Sequence, residues 1–236
     1  MRGFLLHARP FQEHGLLLDW LTDTHGWLRM RQPGARRVGS RGQKRPPAFV
    51  CLELQSAGRG GWPVLKSAEP VEHFRFLHGR RLAAAFYLHE LILRALRPDE
   101  PVSGLFLDYW KSLAMLEEPG VPVSVVMRRF ERQLLEHLGS GIDWGHTADR
   151  APVDPDAGYR VGLQGGIVPD GRTGAIPGRV LLAIAADRPL VSAADRRTAR
   201  DLMQALLVPH VGDRPFVSRR LWPSAPAEAE TAPDSP

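Results

Sequence analysis

The 236-residue sequence predicts an α+β chain in two parts, a small closed β-barrel followed by an α-helical domain. Three observations carry this prediction. Apolar residues in the first 70 positions come in short runs separated by turn chemistry. After Pro70 the apolar spacing changes from two residues to about 3.6. The 23 Gly and 21 Pro call for many turns and short elements, not one long bundle. The divisions that follow are a barrel over 1–78, a helical domain over 79–222 containing an irregular insert at 142–178, and a tail at 223–236.

The elements follow in order. Runs at 4–8, 16–21 and 27–30 read as strands, with turn residues at 10–15 and 22–26. Two further strands, 49–54 and 64–67, are divided by Ala57-Gly58-Arg59-Gly60-Gly61. Five strands in about 70 residues have the count and length of an OB-type barrel. The segment joining the third and fourth would lie beside the face on which such barrels hold single-stranded nucleic acid. Beyond Pro70, Leu82, Phe86, His89, Leu93 and Leu96 form a helical stripe that Arg97-Pro98 stops. A second helix spans about 103–117, and Pro119-Gly120 follow it. The third opens with Pro122 as its first helical residue, carries Val126, Phe130, Leu134 and Leu138 on one face, and ends at Gly139. The insert offers only two hairpin strands, 159–163 and 166–168. A helix over about 177–186 precedes the last one, which Ser192 and Asp195 open as a capping box and which runs to Pro209. No internal repeat is visible.

Composition narrows the function classes. Hydrophobic residues at 43% and charged residues at 24% describe a globular chain. No apolar run reaches the roughly 20 residues of a membrane span, and the longest is interrupted by His89 and Glu90. The start MRGFLLHARPF meets charge again at Arg9, so no signal peptide is expected and the cytosol is the expected compartment. Cys51 is the only cysteine, which excludes internal disulfides and Cys-rich zinc sites, and its apolar neighbours place it in the core. The net charge of +5 is unevenly distributed. Only Lys44, Lys66 and Lys111 are lysine, a bias that a genome rich in G and C produces by itself. Between 29 and 45, however, Arg29, Arg31, Arg36, Arg37, Arg41, Lys44 and Arg45 occur with no acid. Such a loop is either a solvated basic surface or one that tracks phosphates, and the second makes it the candidate DNA-binding segment. The tail reverses the sign, with Glu228, Glu230 and Asp234, four prolines and no base, a composition that predicts disorder.

Catalytic patterns are weak. Gly58-Arg59-Gly60-Gly61 lacks the Lys-Ser/Thr of a P-loop and the spacing of a dinucleotide fingerprint, and reads as a hairpin turn. Asp143, His146 and Asp149 stand at three-residue intervals, but scattered ligands in a polar loop are ordinarily solvated, so no metal is expected. His89-Glu90 in an apolar helix could carry a shifted pKa, yet Glu90 is also placed to pair with Arg94. No enzymatic activity and no cofactor is expected. On the third helix Arg128, Arg129 and Arg132 border Phe130, an arrangement that suits a short acidic peptide ending in a hydrophobe. The plainer account pairs Arg132 with Glu136 and leaves the rest to solvent.

A family resemblance gathers these features. The block GFLLHARPFQEHGLLLDWLTDTHGWLRM, a basic loop with PGAR, the helix YLHELILRAL followed by PDEPVSGLFLDYW, the segment RRFERQLLEHLGSGIDW and the closing VSRRLW resemble bacterial RecO, a family of DNA repair and recombination mediators. The resemblance runs nearly to Trp222. It implies an OB-fold, a helical bundle and an inserted subdomain, binding of single- and double-stranded DNA, and annealing of complementary strands. It further implies partnership with RecR in loading RecA onto strands coated by single-strand-binding protein (SSB), and contact between the helical domain and the acidic tail of SSB, for which Arg128, Arg129, Phe130 and Arg132 are the best match in this sequence. Many relatives carry a four-cysteine zinc site in the insert. Here 142–170 has no Cys, so that site is not carried over. Pro33-Gly34-Ala35-Arg36 stands where Lys-Gly-Ala-Arg is common, with Arg31 and Arg37 as replacements for the lysine. A rival reading from a different class is a protein-interaction adaptor that does not bind DNA.

Overall fold

The computed structural model describes residues 1–36, 44–58, 61–98, 100–102, 104–164 and 166–222. Strands β1 (Arg2–Phe11), β2 (Gly15–Thr22), β3 (Gly26–Gln32), β4 (Leu52–Ala57) and β5 (Val64–Pro70) form a closed barrel in the order β1-β2-β3-β5-β4. β4 closes onto β1 through Arg2 opposite Glu53, while β3 meets β5 in parallel through Arg31 and Val64. Closure pairs the sheet edges that would otherwise invite aggregation. Side-chain alternation along β3 sends Leu28 and Met30 into the barrel and Trp27, Arg29 and Arg31 outward. β2 is buried on both faces because Leu16, Leu18 and Trp20 fill the barrel while Leu21 joins the core of the helical domain. The fourth strand starts later than its apolar run. Phe49 takes a left-handed φ of 62° and, with Cys51, packs toward the helices, so the ladder begins at Leu52.

Helices α1 (Gly79–Ala95), α2 (Leu105–Glu117), α3 (Val123–His137), α4 (Gly178–Ala185) and α5 (Ala193–Val211), with a closing 3-10 turn at Val217–Leu221, make the second part. The buried side of α1 is Ala83, Ala84, Ala85, Tyr87, Leu88, His89, Leu91 and Ile92, so of the stripe read from spacing His89 and Leu96 are buried, while Phe86 is 37% exposed and meets Phe49 edge-on. Pro122 caps α3 from outside and is not its first helical residue. Ser192 Oγ accepts from the backbone N–H groups of Ala194 and Asp195, but the Asp195 carboxylate grips Arg179 at 2.9 and 3.0 Å, so only half of the capping box forms. The same helix passes through Pro209 to Val211, since a proline in the last turn sacrifices a single ladder bond.

The insert is more ordered than its composition suggests. β6 (Gly158–Gly162), β7 (Gly166–Pro169) and β8 (Ile176–Pro177) form a sheet in the order β7-β6-β8, and Trp144, Val153, Tyr159 and Ile167 belong to the main helical core. Gly178 shows how closely the insert is held, because a Cβ there would stand 1.9 Å from the Asp154 carbonyl oxygen. Barrel and helices also share that core. The Phe4 ring lies 5.0 Å from Tyr109 and 5.2 Å from Phe106. Nearby, Arg75, itself buried and ion-paired with the half-buried Glu72 and Glu117, donates to the Phe49 carbonyl, while Glu72 accepts from Cys51 N–H and Trp110 Nε1. Among the described residues no helix is long and apolar enough to cross a membrane.

Candidate functional site

Two surfaces carry concentrated cationic chemistry. The first is the outer face of the barrel around β3. Register places Asp19 of β2 opposite Arg29, and Asp19 Oδ1 accepts from Arg29 Nε at 2.6 Å and from Trp27 Nε1 at 3.2 Å. The charge of Arg29 is therefore balanced within the barrel. Its guanidinium lies between two rings, 5.4 Å from Trp27 and 5.6 Å from Trp62. Trp62 in turn meets Phe11 edge-on at 5.8 Å, and Arg31 Nε donates to its backbone carbonyl. The result is a Trp27-Arg29-Trp62-Phe11 row, with Trp62, 41% exposed, its most exposed member. Arg36, Lys44 and Arg45 of the same basic segment are exposed, and their side chains have no partner among the described residues. Arg37 and Arg41 lie outside the described residues. The basic loop was legible in the sequence, whereas the aromatic row was not. Its members come from positions 11, 27 and 62, which only barrel closure brings together.

The second surface lies between α3 and α5. A cavity of about 840 Å³ is lined by Arg80, Arg128, Arg188, Arg196, Arg197, Arg200 and Arg219, with Met127, Val125 and Leu190 as apolar wall. On α5 the lining positions 193, 196, 197, 200, 201 and 204 recur at helical spacing. Tyr87 and Glu131 form the floor. Tyr87 donates its hydroxyl to Glu131 Oε1 at 2.7 Å, and Arg128 Nη2 donates to the same oxygen. Burial pushes the Glu131 carboxyl up from its ordinary range, against the lowering influence of Arg128 and the Tyr87 hydrogen bond.

The arginine cluster expected on α3 needs correction. Phe130 is fully buried, with its ring against Tyr109 in the core, so it presents no docking surface. Arg129 and Arg132 turn away from the cavity to Asp187, Arg132 also reaching Glu136 at 3.2 Å. Only Arg128 of the four lines the cavity. The residues missed, Arg196, Arg197 and Arg200, carry the same i, i+1, i+4 signal on the last helix. His89 is buried and hydrogen-bonded to Tyr109, and burial drives its pKa down to about 3, which keeps it a neutral structural ring. Glu90 pairs with Arg94 at 2.5 Å and accepts from Val217 N–H, Ser218 N–H and Ser218 Oγ, a clamp for the closing turn. The buried Cys51 thiol is pushed up to about 12 by burial. Asp143 and His146 hydrogen-bond each other, and among the described residues no group of three His, Cys, Asp or Glu could hold a metal ion.

A barrel joined to this helical arrangement has named relatives. The family model for the C-terminal part of recombination protein O matches residues 78–220. DNA repair protein RecO of Photobacterium profundum is 36% identical over 224 residues, 94% of each chain. The Vibrio parahaemolyticus protein of the same name is 34% identical over 230 residues, 95% of this chain and 93% of the relative. The Serratia proteamaculans protein is 36% identical over 228 residues. The chain belongs to the RecO family of DNA repair proteins. As a RecO-family member it combines the closed N-terminal barrel with the family's helical domain, and both candidate surfaces lie within the span its relatives share.

Proposed function

We propose that this RecO-family chain binds single- and double-stranded DNA through its barrel, anneals complementary strands, and with RecR helps load RecA onto SSB-coated single strands in the cytoplasm, at the nucleoid. The observation that carries this reading is that the acid-free basic segment 29–45 has its first members, Arg29 and Arg31, in contact with the Trp27-Arg29-Trp62-Phe11 row. Cations there neutralise phosphates of two strands and reduce the repulsion that opposes annealing, and the exposed Trp62 ring stacks a base without regard to sequence. No catalytic step is required for this work. The α3–α5 cavity supports a second contact, since free guanidinium groups beside an apolar wall match the acids and terminal hydrophobe of the SSB tail.

Annealing of SSB-coated complementary oligonucleotides tests DNA and partner together. Replacing Arg36, Arg37 and Arg41 by Ala is expected to slow annealing, weaken DNA binding across sequences, and flatten the dependence of affinity on salt by about one unit for each phosphate that is no longer neutralised. Unchanged affinity and slope would overturn the barrel assignment and favour an adaptor that binds no DNA. Arg197→Glu, at the cavity, is expected to weaken binding of an SSB-tail peptide at least about tenfold while naked DNA binding persists.

A further inference from the structure

Arg29 and Arg31 are both engaged at Trp62. The buried Asp19 carboxylate accepts from Arg29 Nε at 2.6 Å and from Trp27 Nε1 at 3.2 Å, so one acid fixes both the guanidinium and the first ring of the row. That guanidinium lies 5.6 Å from the Trp62 ring. Arg31 acts on the backbone beside it, its Nε donating to the Trp62 carbonyl and its own N–H to the Pro63 carbonyl at 2.8 Å. Trp62 is thereby held in a set place and stays exposed. A base inserted between Arg29 and either ring would need two successive contacts of about 3.5 Å, or about 7 Å in all, and spacings of 5.4 and 5.6 Å leave no room for it. Only the exposed part of Trp62 is open to a base.

We infer that this row is the subsite that tells single strands from double, taking one unpaired base on Trp62, with Asp19, Arg29 and Arg31 as positioning residues. The inference rests on the barrel binding DNA, as proposed above, and divides that binding between two parts. Arg36, Lys44 and Arg45 are exposed without partners among the described residues, and free cations attract the phosphates of either form of DNA. In a duplex the ring faces are covered by stacked neighbours and only base edges and phosphates are open, so it offers Trp62 nothing to stack on. A single strand does. Because Asp19 balances the charge of Arg29, that arginine adds no phosphate contact, and the stacking contribution persists at salt concentrations that remove the electrostatic one. Holding Trp62 in advance also lowers the entropy lost when it binds.

The test reads fluorescence anisotropy of the full chain with labelled oligothymidine and with a blunt duplex across a range of salt. Trp62→Ala is expected to weaken oligothymidine binding about five- to a hundredfold at every salt concentration, with duplex affinity and the slope of log affinity against log salt unchanged, and Trp62→Phe to recover most of the loss. Equal loss on both DNAs overturns the subsite and leaves the barrel reading standing. The double variant Asp19→Asn/Arg29→Gln, neutral at both positions, tests the positioning role. Single-strand affinity is expected to fall about three- to tenfold with the salt slope unchanged. A slope flatter by about one unit on both DNAs makes Arg29 a phosphate contact and overturns the assignment. Arg29→Lys keeps the ion pair and loses the planar contact with the rings, so it gives the same readout where the double variant does not fold. Native single-strand affinity in Arg29→Lys overturns the positioning role. A native chain that binds neither DNA shows that the barrel reading itself has failed, and the subsite with it.

Discussion

Trp62 shows how a single residue on this molecule divides binding from stability. It is exposed, makes its ring contacts with Phe11 and Arg29, and contributes little to either core. Trp62→Ala is therefore expected to cost about 1–3 kcal/mol in single-strand affinity, measured by titration of a fluorescent oligonucleotide, with an unchanged melting temperature. Arg29 behaves the other way, because the buried Asp19 carboxylate depends on it; Arg29→Ala leaves that charge unpaired and acts first on stability. Glu90 is the clearest titratable case. Burial pushes its carboxyl up, but the Ser218 and Val217 N–H groups, the Ser218 hydroxyl and Arg94 outweigh burial and hold it below the usual 4.5. Glu72 is held low in the same sense: burial raises it, and Arg75, Cys51 N–H and Trp110 together outweigh that effect. For both, the unfolded chain binds more protons near pH 4, so their contribution is fully present above about pH 4.5 and is lost as pH falls through the folded values. Urea unfolding is expected to show Glu90→Gln costing about 1–3 kcal/mol at pH 7 and much less at pH 3.

At the scale of elements, helix ends and buried faces respond to different information. The start of α5 is set locally, since Ser192 satisfies two N–H groups from within its own turn; Ser192→Ala is expected to cost about 1 kcal/mol in chemical denaturation. Nearly all helices and strands were legible in the sequence because periodicity and turn residues are local signals. The faces were less legible. α1 packs against β1, α2, α3 and α5, so its buried side spreads beyond one stripe and Phe86 is left outside. On α3, spacing placed Arg128, Arg129 and Arg132 on one side but could not show that Asp187, far along the chain, would claim two of them. The insert misled for a related reason: glycines and prolines marked its turns, while its few apolar residues gained a core only by packing on distant helices.

For the whole molecule, the decisive feature is that barrel and helical domain share one apolar core. Phe4, Leu6 and Leu21 of the barrel lie among Leu88, Phe106, Tyr109 and Leu113 of the helices. Phe4→Ala removes a fully buried ring from that junction and is expected to cost about 3–5 kcal/mol, with barrel and helices still melting in a single transition by calorimetry. Two separate transitions would show that the parts fold independently. The sequence by itself determined the two-part α+β plan, the order of elements, the basic segment and the family, because each is written in neighbouring residues or in motifs of fixed spacing. Tertiary structure decided which arginines remain available and what surrounds them. Arg29, Arg129 and Arg132 are neutralised by acids brought from other elements, while Trp62 meets Arg29 and α5 meets α3 only after closure and packing. A charge becomes a binding site only when no nearer counter-charge reaches it, and that depends on distances between residues remote in the chain.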